Sequence, residues 1–150
     1  MSQTVKAAFH ALANQLKTIT QANGYKTNAG ENLRVSYMAW VLDQNPSPPF
    51  IVLQHGATNV TTTSGNAKAK LEYTPEILLA TAATEAGIDE LLDLEADLRK
   101  CLQAQNFKSA LGGAASALEA PGSQPAILDD SSYALAVMPV TLTLIENYEA

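Results

Sequence analysis

The sequence predicts an α+β fold, in which a mixed, mainly antiparallel sheet carries two helices packed on one face. Two adjoining segments carry this prediction. From Lys70 to Thr84, polar and apolar side chains alternate as in a strand with one wet face, until both faces become apolar after Leu78. From Ile88 to Gln103 the period is helical, with one apolar stripe: Leu91, Leu94, Leu98, Cys101 and Leu102. A strand that leads directly into such a helix requires the helix to fold back onto the sheet.

Length and composition indicate one domain over residues 1–150. Hydrophobic residues make up 47% of the chain, which is enough for a sizeable core. Charged residues make up only 16%, against roughly 25% in average globular usage, and this favours a protein surrounded by protein neighbours. The net charge of −6 argues against binding nucleic acid through its phosphates.

The first half of the chain begins with a helix capped by Ser2 or Thr4 and ended by Gly24. Its apolar stripe contains Val5, Phe9, Leu12, Leu16 and Ile19. The segment 33–42 alternates like a strand, with a helix as the open alternative. A rigid proline loop follows, then a short covered strand over 50–54. Residues 56–67 are small and polar, which predicts a loop that is mobile or binds a partner.

The second half continues beyond the long strand and helix. Residues 111–125 contain glycines and prolines that predict irregular chain with room for one short strand. Residues 133–149 predict a long final strand, and its interruption at Pro139 indicates an edge position or a bulge.

Sequence signatures of catalysis are missing: there is no nucleophile elbow, phosphate loop, dinucleotide fingerprint or zinc-protease motif. The single Cys101 is expected to be a small core residue, and His10 and His55 have no further ligand at suitable spacing. We therefore expect no enzyme activity, no cofactor and no metal. The N-terminus lacks a signal peptide and no apolar run is long enough for a membrane span, so we expect a soluble chain made in a cytoplasm.

An acidic ridge is predicted on the second helix, where Asp89, Asp93 and Asp97 recur every four residues. Such a ridge could hold a cation or repel DNA phosphates, while a solvated helix face is the simpler interpretation. Interface candidates come from residue types that oligomer contacts favour and from the polar loop. They are Trp40, Pro46, Pro48, Pro49, Phe50, Thr58, Asn59, Thr61 and Thr62.

The order of these segments resembles a known family. A helix ending in ANGYKT precedes a strand, the apolar PPFIVLQ, a polar loop, a long strand, a helix with DLEADLRKCL, then LGG and a long terminal strand. This pattern resembles the tail terminator proteins of long-tailed bacteriophages, the lambda-type minor tail protein family, over nearly the whole chain.

The resemblance implies a structural virion protein. Such a subunit would form a ring, with six copies, that caps the tail tube, ends tube growth and offers a docking surface to the head-completion or connector proteins. It would be assembled in the host cytoplasm and located at the tail–neck junction of the virion. DNA would pass through the ring without specific binding, and an acidic channel lining would let phosphates slide.

Two other readings stay open from the sequence. One is another phage neck or tail component, such as a tail completion or tube protein. The other is a small-molecule-binding or enzymatic α+β domain.

Overall fold

The computed structural model of the protein describes residues 3–64, 67–106, 110–126 and 132–148. Within these ranges there are three α-helices: α1 (Val5–Leu16), α2 (Met38–Asp43) and α3 (Glu85–Asn106). The same ranges contain one seven-stranded sheet. Its strands are β1 (Leu33–Val35), β2 (Phe50–Ser64), β3 (Lys68–Ala82), β4 (Ala117–Glu119), β5 (Gln124–Ala126), β6 (Tyr133–Pro139) and β7 (Thr141–Asn147). The predicted α+β class is confirmed.

Strand β3 lies at the centre of the sheet, because it is paired on both sides along nearly its whole length. On one side it pairs with β2. On the other, Glu76–Ala82 pair with β6 and Lys68–Tyr73 pair with β7. The short strands extend this frame: β1 runs parallel to β2, while β4 and β5 run antiparallel to β7 and β6. The sheet is therefore mixed and mainly antiparallel.

Two helices pack on one face of the sheet and form the main core. The predicted stripe of α3 is confirmed, since all five of its side chains are buried. From α1, Leu12 and Leu16 are fully buried, and Thr4 caps the helix by accepting a hydrogen bond from the Ala7 amide at 3.1 Å. Helix α1 ends at Leu16 instead of near Gly24; that glycine, at φ 88°, ends a separate 3₁₀ turn, Gln21–Asn23.

A second, smaller core lies on the opposite face and is covered by α2. This helix corrects the strand expected over residues 33–42, of which only β1 is extended. The chain leaves the sheet after β1, and the side-chain oxygen of Gln54 accepts a hydrogen bond from the Met38 amide at 2.8 Å. That contact satisfies one of the free donors at the start of α2, while Val41 is buried below it.

The polar segment 56–67 is also corrected, because β2 continues through it to Ser64 instead of forming a loop. Its backbone pairs with β3 as far as Ser64 opposite Lys68. Residues 65 and 66 lie outside the described residues. The region after α3 holds two short strands, β4 and β5, where one was expected.

The strands on both sides of β3 are irregular opposite Pro75, and we call this level of the sheet the corner. In β2 the register shifts between Gln54 and Ala57. A Cβ atom on Gly56 would lie 1.8 Å from the Thr74 carbonyl oxygen, so the bulge fits only glycine there without movement. On the other side β6 ends at Pro139, as the predicted interruption requires, and the Val140 amide donates to the Pro75 carbonyl at 3.0 Å.

The corner divides the sheet into two parts. The core half of β3, Glu76–Ala82, lies beside β6 and the first residues of β2. The arm half of β3, Lys68–Thr74, lies beside β7 and residues 57–64 of β2. We call the second part the arm.

Candidate interaction surface

An exposed aromatic pair lies on the outer side of α2. Trp40 is 63% exposed and Tyr37 is 49% exposed. Their rings meet edge to face, with centroids 4.9 Å apart and planes at 78°. Val35, at the end of β1, is a further exposed apolar side chain in the same stretch. Because Val41 anchors the inner side of α2, the pair is held on a packed element and faces solvent.

The proline loop after α2 is divided between surface and core. Pro48 is exposed, and Pro46 and Pro49 are half-buried. Phe50 is fully buried and its ring meets that of Tyr133 edge to face at 5.2 Å. The prediction that Phe50 lies at an interface is therefore wrong, because its ring fills the second core.

Hydrogen bonds fix this loop against the domain. The hydroxyl of Tyr133 lies 2.5 Å from the Pro46 carbonyl oxygen and 3.0 Å from Oδ1 of Asn45. The side-chain amide of Asn32 donates to the carbonyls of Ser47 and Pro49 at 3.3 and 3.0 Å. The exposed part of the loop is therefore presented in one arrangement beside α2.

The polar interface candidates lie on β2 in the arm. Thr58, Asn59, Thr61 and Thr62 are all exposed. A second register shift falls at Thr61, whose hydroxyl donates to the Lys70 carbonyl at 3.1 Å. These residues share one strand and are separate from the proline loop.

Only two of the three aspartates of the predicted acidic ridge lie at the surface. Asp89 and Asp93 are exposed, and Asp93 lies 3.7 Å from the Lys26 ammonium. Asp97 is only 2% exposed. Its carboxylate accepts hydrogen bonds from the Lys26 amide at 2.9 Å and from the Thr27 amide and hydroxyl at 2.8 Å each. The prediction that Asp97 lines a channel is wrong: it ties α3 to the loop after α1.

Nearby polar groups serve the same junction. Lys100 donates to the Gly24 carbonyl at 2.9 Å, and its ammonium lies 4.8 Å from the centre of the Tyr25 ring. Cys101 is fully buried, and its thiol donates to the Gln15 carbonyl at 3.3 Å. Burial raises the pKa of this thiol, so it stays protonated and unreactive near neutral pH.

A histidine–tyrosine contact at the corner was not predicted from the sequence. Nδ1 of His55 lies 2.7 Å from the hydroxyl of Tyr73. Tyr73 is fully buried, and burial raises its pKa, which keeps the hydroxyl protonated. The ring of Phe9 lies beside both, at 6.4 Å from Tyr73 and 6.2 Å from His55. This contact joins the two strands at the corner, and strand alternation alone gave no signal for it.

An apolar groove of about 550 Å³ lies between α3 and the start of β6. Two of its lining side chains are strongly exposed, Ile88 at 52% and Leu92 at 58%. Leu91, Glu95, Tyr133 and Leu135 complete most of the wall. The size is within the range of small-ligand sites.

Among the residues that the structure describes, no group of three or more histidine, cysteine, aspartate or glutamate side chains could hold a metal ion. In those same ranges, no helix combines the length and hydropathy needed to cross a membrane. Comparison with protein-family models gives no match, and comparison with curated proteins gives none either.

Proposed function

We propose that the chain is a tail terminator of a long-tailed bacteriophage. Its subunits form a ring, of six copies by the resemblance, that caps the tail tube and ends its polymerisation. The outer surface of the ring receives the head-completion or connector proteins. The protein is a component of the virion at the tail–neck junction, assembled in the host cytoplasm, and its role is structural and not enzymatic.

The observation that carries this proposal is the exposed pair of Tyr37 and Trp40. Binding energy at protein interfaces is concentrated in a few large anchors, with tryptophan and tyrosine the most frequent. Trp40 lies on the short helix α2 and Tyr37 is the residue at its N-cap, so little backbone freedom is left to lose on docking. The fixed loop with Pro46, Pro48 and Pro49 follows α2 in the chain and offers further partly exposed side chains. This favours a protein that acts by contact with other proteins.

The resemblance supplies the identity of those partners. Helix α1, strand β3, helix α3 and the terminal strands follow one another in the order on which the resemblance rests, whereas α2 replaces most of an expected strand and β2 replaces the expected polar loop. In a ring of this kind DNA passes through the centre, and exposed carboxylates repel its phosphates. Asp89 and Asp93, with Glu90 between them, are the candidates for that lining.

The test is a charge at the aromatic pair. Trp40→Glu should leave the free energy of unfolding within about 0.5 kcal/mol of wild type, because the side chain is exposed. It should weaken ring formation by about 30-fold or more, as loss of a hot-spot residue does. Light scattering on the purified chain, with and without tube, measures the ring. Phage carrying the variant should show tails of irregular length or tails without heads.

Tyr148→Glu is the matched control, since Tyr148 is an aromatic residue of similar exposure, 60%, at the end of the chain. It should assemble as wild type does. Normal tails joined to heads in the Trp40→Glu phage would remove this pair from the interface. A chain that never assembles with itself or with tube would contradict the ring.

Other tail roles give different defects when the chain is deleted from the phage. Loss of a terminator yields overlong tails, loss of a completion protein yields tails of normal length that fail to join heads, and loss of a tube protein yields no tails. These three outcomes separate the proposal from the neighbouring tail functions.

A small-molecule-binding domain is the second candidate, favoured by the apolar groove at Ile88 and Leu92. Saturable binding of an apolar fluorescent probe to a chain that stays monomeric, and loss of that binding in the Leu92→Lys variant, would support it. Ring formation without probe binding would exclude it in favour of the terminator.

A further inference from the structure

The outer edge of β2 is open along most of its length. Strand β1 pairs only with Ile51–Leu53, and the last backbone bond on this side runs from the Ser36 amide to the Leu53 carbonyl at 3.2 Å. From Gln54 onward, no other backbone group in the described ranges pairs with this edge. The arm therefore presents a row of free amide and carbonyl groups to solvent.

This edge lacks the usual side-chain protection against pairing. Natural open edges carry lysine, proline or inward-pointing charges. Residues 54–63, QHGATNVTTT, contain no lysine, arginine, carboxylate or proline. The register shifts near Gly56 and at Thr61 bend the strand at two points, which leaves Ala57–Val60 as the regular stretch between them. Val60 within it is 59% exposed.

Other edges in the described part of the sheet are short or covered. Strands β1, β4 and β5 have three residues each, and β5 contains Pro125, which has no amide proton to donate. The outer edge of β7 is paired with β4 and then with Gln3, whose amide donates to the Ile145 carbonyl at 3.0 Å. The strand of matching length that a second copy can offer to β2 is thus β2 itself.

We propose that the free protein is a dimer in which β2 of one copy pairs antiparallel with β2 of a second copy. The two-fold axis passes beside Asn59, so that the Asn59 residues of the two copies lie opposite each other and Thr58 of each copy lies opposite Val60 of the other. Pairing places only uncharged side chains across from one another, whereas a charged edge would oppose like charges. Each copy satisfies the backbone groups of its partner, and the exposed Val60 side chains gain cover.

This contact differs in kind from the proposed ring contact, and the inference goes beyond the ring. A two-fold contact uses the same patch on both copies and closes at two subunits. A cyclic ring in which all subunits point the same way needs a head-to-tail contact between two different patches. The β2 dimer is therefore the state of the free subunit, and the ring is built through the separate surface around Trp40.

Asn59→Lys tests the dimer, since it places like charges near each other across the two-fold axis. Sedimentation equilibrium of the wild-type chain should show a species of twice the 15.9 kDa subunit mass. The variant should raise the dimer dissociation constant by about tenfold or more. The control Asn14→Lys makes the same replacement on the exposed side of α1 and should dimerise like wild type.

A second readout depends on proximity instead of affinity. Asn59→Cys should form an intermolecular disulfide under mild oxidation, because the native Cys101 is buried and does not compete. Any one of three results would overturn the proposal. The wild-type chain could stay monomeric at every concentration, Asn59→Lys could leave the dimer as strong as before, or Asn59→Cys could give no cross-linked dimer. If the Asn59→Lys chain still forms rings with tube, the ring proposal stands whether or not the dimer proposal fails.

Discussion

The two halves of β3 both have strand neighbours on two sides, yet one half is buried on both faces and the other on one face only. In the core half, Ile77, Leu78, Leu79 and Ala80 are all at most 2% exposed, so both faces of the strand are covered. In the arm half, buried and exposed side chains alternate from Lys68 to Tyr73. The difference lies in the layers above and below: the core half has α3 on one face and α2 on the other, and the arm half is covered on one face only. Strand pairing satisfies the backbone of β3 along its length, but packing of helices on the sheet determines which of its side chains are buried.

The largest difference in stability between core and arm is expected from shortening one apolar side chain in each. Leu98→Ala, in the α3 stripe that covers the sheet, should lower the free energy of unfolding by about 2–5 kcal/mol, since the side chain is fully buried. Val60→Ala in the arm should change it by less than about 0.5 kcal/mol at concentrations where the chain is monomeric, because Val60 is exposed there. Urea denaturation of both variants measures the difference. Similar losses at the two positions would show that the arm is packed as tightly as the core.

Loss of a polar contact should follow the same division. Asp97→Asn keeps the shape of the side chain but replaces a carboxylate that accepts three hydrogen bonds, two of them buried, and it should cost about 1.5–3 kcal/mol. Thr61→Val removes an exposed hydrogen bond in the arm and should stay within about 0.5 kcal/mol of wild type. Thermal and chemical unfolding would both report these changes. An unchanged free energy of unfolding in Asp97→Asn would mean that the contact with the loop at Lys26 and Thr27 adds no stability to α3.

The corner between the halves can be tested with one methyl group. Gly56→Ala should cost about 1–3 kcal/mol, as overpacking does, because its Cβ meets the Thr74 carbonyl. Hydrogen exchange should show the loss concentrated in the arm, where amides of residues 57–64 open without unfolding the core. Thr58→Ala, two residues further along the strand, serves as the control. Unchanged stability of Gly56→Ala would indicate a corner loose enough to shift.

Sequence patterns were sufficient for the central elements. The alternation from Lys70 and the helical stripe of α3 are strong periodic signals, and both predict buried side chains correctly. Cover on the second face could also be expected from the apolar run after Leu78. These features depend on side chains close in sequence, which is why they could be read from it.

Features that depend on distant partners could not be read in this way. The arm strand of β2 contains small polar residues exposed on both faces, so its extended state comes from pairing with β3 and leaves no alternation. Helix α2 is apolar at almost every position, with Val41 inside and Trp40 outside, and its alternation and aromatic content favoured a strand. Asp97 matched a solvated ridge by spacing, because the amides that hold it belong to Lys26 and Thr27, about 70 positions earlier.

The hydrogen bonds between Gln3 and Ile145 join residues that are 142 positions apart. Strand β7 completes the arm, and it is synthesised after the other six strands of the sheet. During synthesis, the arm half of β3 therefore has β2 on one side and an empty neighbour position on the other until β7 has been made. Native pairings of such long range make folding slow compared with helical domains of this size. The nascent protein thus carries a second unpaired strand edge, which is removed only when β7 pairs with β3.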